Sequence, residues 1–306
     1  MQRLGLCCLF VEEPIRFRTT TARYCSTLIE RGEDPLQHIG TIVQNNLDSL
    51  LAAVTFCAAH KIGSFRISSK LFPVYTHPEM GYNLDNLPES QQIRRALRSI
   101  KERAKDLNIR LTFHPDQFVI LNSPKKDVVD KSLVDLEYHG LIAHLLGADV
   151  INIHAGGGYG DKTRALQRFA KNFCRLSNKV QSRLTIENDD RIFSPQDLLP
   201  LCNDLKIPLV YDVHHHRCLP DIFTIGQATS RALATWNREP LFHISSPKDG
   251  WKGTRPLLHH DYVNPDDVPE EWIKTDPLTI DVEAKAKEIA VLRLYKQLKK
   301  LSWNLG

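Results

Sequence analysis

The chain has 306 residues, 42% of them hydrophobic and 25% charged, and a formal net charge of +4. This composition is typical of a globular protein with a large core, and so small a charge neither requires nor excludes a nucleic-acid partner. The seven cysteines are scattered without a CxxC pair, which argues against a disulfide framework or a thiolate zinc site and fits a reducing cytosol.

The apolar run at the N-terminus is too short for a signal peptide, and no segment approaches the ~18 apolar residues of a membrane helix. We therefore expect a cytoplasmic protein that does not enter membranes. The sequence contains no repeat, low-complexity tract or linker, so we expect one domain over residues 1–306.

Apolar runs of strand length alternate with amphipathic runs of helix length. The expected strands are 3–10, 65–67, 109–113, 149–153, 183–186, 208–211, 240–244 and 278–282. The expected helices are 38–60, 91–107, 128–146, 163–180, 195–205, 221–235 and 284–301. Residues 11–36 are polar and are expected to form a loop or a lid. Eight alternating units predict an α/β fold with a parallel sheet closed into a (β/α)8 TIM barrel.

Six of the expected strands stop at a residue type that binds metal ions. Pro115 cannot donate to a sheet ladder, so the third strand should end beside His114. Because barrel strands deliver their carboxyl ends to one mouth, the six side chains should converge there. One such residue could simply cap a strand, but six on one face favour a metal site. The six residues are His114, His154, Glu187, Asp212, His243 and Glu283.

Imidazoles and carboxylates together suit divalent cations such as Zn²⁺ or Mn²⁺. Two or three such ions can bind both the attacking and the leaving oxygen of a phosphodiester. His215 lies three residues after Asp212 and can reach the same ion or its neighbour. His259 lies in the loop after the seventh strand and is either a ligand or a solvated loop residue. His77 lies in the loop after the second strand, where spacing alone favours a solvated side chain.

Loops that follow the strands should form the substrate groove. Tyr159, in a glycine-rich run, offers a stacking face, and Trp251 and Arg255 lie in a loop where basic and aromatic residues alternate. Gln117 and Phe118 follow the third strand and could enter a duplex as a wedge. The alternatives are a mobile glycine turn, a solvated loop, and packing of Phe118 on the barrel rim.

Seven blocks of the sequence together resemble the UV damage endonuclease family, a group of endonuclease IV-like and xylose isomerase-like barrels. The blocks are 65–69, 114–118, 154–162, 187–190, 212–216, 243–246 and 283–288. The resemblance runs collinearly from Arg3 to Glu288. It implies an enzyme that recognises pyrimidine dimers in double-stranded DNA and incises immediately 5′ to the lesion, leaving a 3′-hydroxyl and a 5′-phosphate.

The resemblance also implies a cluster of two or three divalent ions, with Mn²⁺ favoured and Zn²⁺ or Co²⁺ as alternatives. Glu187 and Glu283 would be the catalytic carboxylates, and Gln117 and Phe118 match the pair that probes a distorted duplex. The implied metal ligands are His77, His114, His154, Glu187, Asp212, His215, His243, His259 and Glu283. We expect a monomer without an obligate protein partner.

The residues themselves leave two other functions open. A sugar isomerase or epimerase would place His, Asp and Glu around fewer ions, but would not explain the loop that contains Trp251 and Arg255. A non-catalytic lesion-binding protein would not need six residues of metal-binding type.

Overall fold

Eight parallel strands form the centre of the molecule, whose computed structural model describes residues 2–305. The described strands run in the order β6-β5-β4-β3-β2-β1-β8-β7, so the predicted barrel is confirmed. The strands are β1 Gln2–Cys7, β2 Ser64–Ile67, β3 Arg110–Phe113, β4 Val150–His154, β5 Leu184–Glu187, β6 Leu209–Val210, β7 Leu241–Ile244 and β8 Leu278–Val282.

Eleven α-helices and two short 3₁₀ helices lie between or after the strands in residues 2–305. The α-helices are α1 Ala22–Glu30, α2 Pro35–Ala59, α3 Ser90–Asp106, α4 Lys126–Leu146, α5 Lys162–Phe173, α6 Asn178–Gln181, α7 Pro195–Leu205, α8 Val213–Cys218, α9 Ile225–Ala234, α10 Glu270–Ile273 and α11 Lys287–Lys300. The 3₁₀ helices are Leu84–Asn86 and Pro265–Asp267. None of the helices described between residues 2 and 305 is both long enough and apolar enough to cross a bilayer.

Three helical predictions were wrong in detail. The segment predicted as a loop contains α1, whose first turn is capped where the Thr21 hydroxyl accepts the N–H of Tyr24 at 3.2 Å. The single helix predicted over 163–180 is interrupted, because α5 ends at Phe173 and a new N-cap, Ser177, starts α6. Helix α8 was not predicted, since a run of three histidines carries no amphipathic period.

Few backbone contacts close the barrel between β6 and β7. Within the described residues these two strands share one isolated bridge, Asp212 with His243, and the N–H of His243 donates to the carbonyl of Tyr211 at 3.1 Å. The side-chain amide of Asn188 supports this seam from the β5 side. It donates to the Asp212 carbonyl at 2.9 Å and accepts the Asp212 N–H at 3.0 Å, as a neighbouring strand would.

The amino-terminal end of the barrel is filled by charged side chains that pair with one another. Arg110 forms two hydrogen bonds with the carboxylate of Asp149, at 3.0 and 2.9 Å, and donates to the Thr279 hydroxyl at 3.0 Å. Arg3 pairs with Glu239 at 2.8 Å in the same layer. Polar residues at this end of a barrel stabilise the fold, whereas the carboxyl end remains available for chemistry.

Candidate metal centre and nucleic-acid face

Glu187 lies at the centre of the carboxyl-terminal mouth, at the end of β5, and is 1% exposed. Its Oε2 is 3.0 Å from Nε2 of His114 and accepts a hydrogen bond of 2.5 Å from the Asn152 amide. Its Oε1 is 3.1 Å from Nδ1 of His243 and 3.3 Å from Nδ1 of His215. Side chains on or next to β3, β4, β7 and α8 therefore meet at one carboxylate.

Three overlapping groups of side chains have the spacing of metal ligands. In each group the three ligand atoms all lie within 4.8 Å of one another. The groups are His114 with His154 and Glu187, Glu187 with Asp212 and His215, and Asp212 with His243 and Glu283. Since Glu187 and Asp212 each belong to two groups, bound cations would be neighbours that share carboxylates.

Strand register explains why these residues meet. His154 is directly opposite Glu187 in the β4–β5 pair, and Asp212 is opposite His243 across the seam. The Asp212 side chain also caps α8 by accepting the N–H of His215 at 2.8 Å, which brings that imidazole back over the mouth. One residue thus ends a strand, starts a helix and presents a carboxylate oxygen to the cluster.

Opposite charges keep the two glutamates anionic. Burial alone would raise the pKa of Glu187, but the surrounding imidazoles, His243 first among them, outweigh it and hold this pKa well below the usual range. Burial is likewise outweighed for Glu283, chiefly by Arg66, so its pKa is also well below normal. Burial would lower the pKa of His243, yet Glu187 and Glu283 raise it to about 9.

The donor set fits hard to borderline divalent cations. Oδ2 of Asp212 and Nδ1 of His243, which face the cluster, are buried without a hydrogen-bond partner among the described residues, although such groups normally have one. Nδ1–H of His114 donates to the Pro115 carbonyl at 3.1 Å, which leaves Nε2 to face the cluster. Cys7 lies nearby but belongs to none of the three groups, and burial raises the pKa of its thiol well above normal.

His259 lies at the rim of the cluster, outside the three groups. Its Nδ1 is 3.9 Å from Oε2 of Glu283, and its ring centroid is 6.3 Å from that of His215. An antiparallel bridge with Pro247 holds it over the mouth. A role for His259 in binding a further ion stays a prediction.

His77 is not brought to the three groups. Its Nδ1 instead accepts the N–H groups of Glu79 and Met80, both at 3.2 Å, while its carbonyl accepts the N–H of Gly81 at 2.8 Å. The ring is therefore used within its own turn. It lines a separate cavity of about 870 Å³ beside Tyr75 and α4.

Gln117 and Phe118 project from the mouth into solvent, and Phe118 is 75% exposed. The turn beneath them is well defined, since the Asp116 carboxylate accepts the N–H of Phe118 at 3.1 Å and Val119 is buried. Because this turn is rigid, little conformational entropy would be lost if the exposed ring contacted a partner. The alternative of packing on the barrel rim is not observed for Phe118.

Tyr159 is only partly free. Its ring folds back over Gly157, and the Arg168 guanidinium lies 5.5 Å from the ring centroid. The preceding Gly156 has φ +95°, and a Cβ there would lie 2.3 Å from Oδ1 of Asn122, so this turn requires glycine. The glycine-rich loop is thus tightly folded rather than a mobile turn.

Trp251 is fixed within its own loop. Its indole N–H donates to the Asp267 carboxylate at 2.7 Å, and the Arg217 guanidinium lies 5.4 Å from its ring centroid. Trp251 nevertheless remains 38% exposed. Arg255 is more exposed and pairs with Asp249 at 3.4 Å.

Three buried residues contact the cluster but were not predicted. Arg66 donates to Oε1 of Glu283 at 2.6 Å, Asn152 donates to Glu187, and Asp281 lies 3.9 Å from Nε2 of His243. Asn152 and Asp281 each precede a strand-end ligand by two residues. Since side chains alternate along a strand, a polar residue at that spacing faces the barrel interior, and this signal could have identified both.

The model of the family described as UV-endonuclease UvdE matches residues 2–303. A UV DNA damage endonuclease of Bacillus velezensis is 32% identical over 302 residues, which cover 95% of this chain and 91% of that protein. The crystal structure of SacUVDE has a TM-score of 0.87 at 29% identity and covers 99% of this chain and 100% of its own. Endonuclease IV from Thermus thermophilus is similar in fold, with a TM-score of 0.62 at 16% identity over 97% of this chain and 98% of its own.

Proposed function

Because the chain belongs to the UV-endonuclease UvdE family, we propose that it is a metal-dependent DNA repair endonuclease that recognises UV photoproducts such as pyrimidine dimers. It incises the phosphodiester immediately 5′ to the lesion and leaves a 3′-hydroxyl and a 5′-phosphate. The observation that carries this proposal is the convergence of three ligand groups on Glu187, at the end of the barrel from which the exposed Phe118 projects.

The cations are two or three divalent ions, Mn²⁺ first and Zn²⁺ or Co²⁺ as alternatives. His114, His154, Glu187, Asp212, His215, His243 and Glu283 would hold them, with His259 at the rim and His77 left to its own turn. When bound, such ions supply a nucleophile at neutral pH, by lowering the pKa of bound water towards ~7, and neutralise charge on the phosphate.

The protein's own side chains orient the reacting groups. Glu187 and Glu283 are anionic at neutral pH, because their pKa values lie well below normal. Arg66 fixes Glu283 through a hydrogen bond of 2.6 Å, and Asn152 fixes Glu187. Both carboxylates are thus held in place before DNA binds, which is how an enzyme avoids reorganisation during the reaction.

Lesion recognition depends on the cost of opening the duplex rather than on base edges. Gln117 and Phe118 enter the stack beside the damaged step, and Trp251, Tyr159 and Arg255 contact the flanking strand. A dimer is already poorly stacked, so opening it costs less than opening an intact step by roughly a few kcal/mol.

The enzyme acts as a monomer in the cytoplasm and needs no protein partner.

The sugar isomerase alternative is not favoured. It requires fewer ions, whereas three overlapping ligand groups are present, and the family match extends over residues 2–303. A binding protein without activity is not favoured either, since binding alone gives no reason to bury so many charged groups at one site.

A nicking assay tests the proposal directly. Metal-free protein is incubated with a duplex that contains one thymine dimer, in the presence of Mn²⁺, Zn²⁺, Co²⁺ or Mg²⁺, and both product ends are mapped. We expect a single nick immediately 5′ to the dimer in at least one cation and none in an undamaged duplex of the same sequence. Cleavage elsewhere, or no cleavage with any cation, would contradict the proposal.

A further inference from the structure

Asp281 occupies the barrel interior directly beneath the cluster. It is 0% exposed, is the last residue but one of β8, and neither of its carboxylate oxygens has a hydrogen-bond partner among residues 2–305. Strand register places it between Gly5 of β1 and His243 of β7. Gly5 makes room for it, since a Cβ at that position would lie 1.9 Å from Oδ1 of Asp281.

Two cationic groups face Asp281. Nε of Arg66 is 3.6 Å from Oδ2, but this guanidinium makes its close contacts elsewhere, with Glu283 at 2.6 Å and with Cys7. The second group is His243, whose Nε2 is 3.9 Å from the same oxygen. A buried carboxylate so loosely paired with Arg66 contributes little to folding, because desolvation opposes the attraction.

The two nitrogens of His243 face different surroundings. Nδ1 is 3.1 Å from Glu187 and 3.3 Å from Glu283, which places it among the ligand carboxylates, whereas Nε2 faces Asp281. A neutral imidazole has one N–H and one lone pair, and a cation binds the lone pair. If Nδ1 binds the ion, Nε2 carries the proton and needs an acceptor on the side where Asp281 lies.

We propose that Asp281 is a positioning residue whose carboxylate, 3.9 Å from Nε2 of His243, favours the proton on that nitrogen and so keeps Nδ1 available for the cation held with Asp212 and Glu283. This inference rests on the part of the proposed function that concerns metal binding. Carboxylates that orient a ligating histidine in this way change metal affinity about 10- to 100-fold when they are removed. Nothing in the inference requires Asp281 to touch DNA or the ion.

Two substitutions separate charge and hydrogen bonding from shape. Asp281→Asn keeps the shape and one acceptor oxygen, and Asp281→Leu keeps the branching at Cγ but has larger methyl groups and no acceptor. Ser64→Ala is the matched control, because Ser64 lies in the same layer on the other side of Gly5, is 0% exposed, and has an unpartnered hydroxyl. The measurement is a titration of metal-free protein with Mn²⁺ in the absence of DNA, in which electron paramagnetic resonance detects the free ion.

We expect Asp281→Leu to weaken the binding of one Mn²⁺ by about 10- to 100-fold, with a smaller loss in Asp281→Asn and none in Ser64→Ala. The metal-free variants should melt within a few degrees of the wild type, since a loosely paired buried charge is removed. A purely structural role would instead lower the melting temperature of the metal-free protein. Wild-type affinity in both Asp281 variants would overturn the inference.

The tautomer of His243 can be observed directly. In ¹⁵N-histidine spectra of the Zn²⁺-loaded wild type, assigned by comparison with His243→Gln, we expect the proton on Nε2. A proton on Nδ1 would overturn the inference. If Asp281→Leu does not fold, Gly5→Ala provides a second variant, because its added Cβ should displace Asp281 and reproduce the loss of affinity.

Failure of this inference and failure of the proposed function are distinguishable. A wild-type protein that binds Mn²⁺ tightly but leaves a dimer-containing duplex intact contradicts the endonuclease proposal and not the role of Asp281. A protein that nicks the duplex normally while the Asp281 variants keep full Mn²⁺ affinity contradicts only the latter. A wild type that binds no divalent cation overturns this inference together with the metal dependence.

Discussion

Glu187 is the residue on which the cluster depends most, because four side chains from different parts of the barrel contact its buried carboxylate. Its position at a strand end was visible in the sequence, as were those of His154 and Glu283, because a run of buried residues stopped there. The four side chains that contact its carboxylate come from distant parts of the sequence. Their spacing along the chain does not predict which of them meet across the barrel. His77 was expected at the same end of the barrel as the ligands. The sequence did not show that its ring would instead accept hydrogen bonds within its own turn.

Glu187→Gln should reduce nicking of UV-irradiated plasmid by about 100-fold or more, because it removes a charge shared by two ligand groups while keeping the shape. Mn²⁺ binding should weaken in parallel, and the circular dichroism spectrum should remain that of the wild type. Glu137→Gln is the control, since this carboxylate lies on α4 and pairs with Ser177 instead of the cluster. Full nicking activity in Glu187→Gln would contradict the proposal that cations bound at this cluster are needed for incision.

Phe118→Ala should weaken binding to a dimer-containing duplex by roughly 5- to 150-fold, since base–aromatic stacking contributes about 1–3 kcal/mol per base. Because the ring is 75% exposed, the free energy of unfolding should change by less than about 0.5 kcal/mol. Val134→Ala is the control. This substitution removes a different exposed apolar side chain, which lies on α4, and should leave DNA binding unchanged. Equal affinity of Phe118→Ala and wild type would show that the ring does not enter the duplex.

The elements that could be predicted are those with strong periodicity or a clear boundary. The bounds of α7 and β8 agree with the prediction, because Ser194 and Pro195 mark the start of α7 and β8 is an uninterrupted buried run. Helix α8 was missed because its three histidines carry no amphipathic period, although Asp212 is a common N-cap residue. The seam between β6 and β7 could not be predicted from the sequence either. A side-chain amide, that of Asn188, forms hydrogen bonds there, where a backbone ladder was expected.

Asn188→Ala tests that seam. It removes both hydrogen bonds to Asp212 and leaves a buried N–H and a buried carbonyl without partners, so the free energy of unfolding should fall by about 2–4 kcal/mol. Mn²⁺ affinity should fall as well, because Asp212 loses its fixed position. Urea denaturation and Mn²⁺ titration measure the two effects, and an unchanged free energy of unfolding would mean that the seam does not need this amide.

The whole molecule separates stability from chemistry along the barrel axis. Charged side chains at the amino-terminal end pair with each other, as Arg110 does with Asp149, while those at the carboxyl end converge on sites that cations would complete. The closed fold could be predicted from eight alternating units. Which loops would be rigid could not, since the rigidity of the Trp251 loop depends on Asp267, outside the predicted motif.

Arg110→Met should lower the free energy of unfolding by roughly 2 kcal/mol or more, since it leaves the partly exposed Asp149 without its closest ion pair. Nicking activity per folded molecule should stay at the wild-type value, because the substitution lies at the opposite end of the strands from the ligands. Chemical denaturation and the plasmid assay test the two halves of this prediction separately. A large loss of specific activity would show that the two ends are coupled.

The single bridge between Asp212 and His243 links cation occupancy to the integrity of the fold. A cation bound by both residues would cross-link the last two edges of the sheet, and ligation at 100 times the dissociation constant adds about 2.7 kcal/mol to the folded state. Chelation should therefore raise deuterium uptake in 209–213 and 241–244 more than in β1 and β2. Loss of the ions would therefore weaken the join between β6 and β7 first, and we expect a protease to cleave the metal-free protein more readily than the metal-loaded protein at this edge.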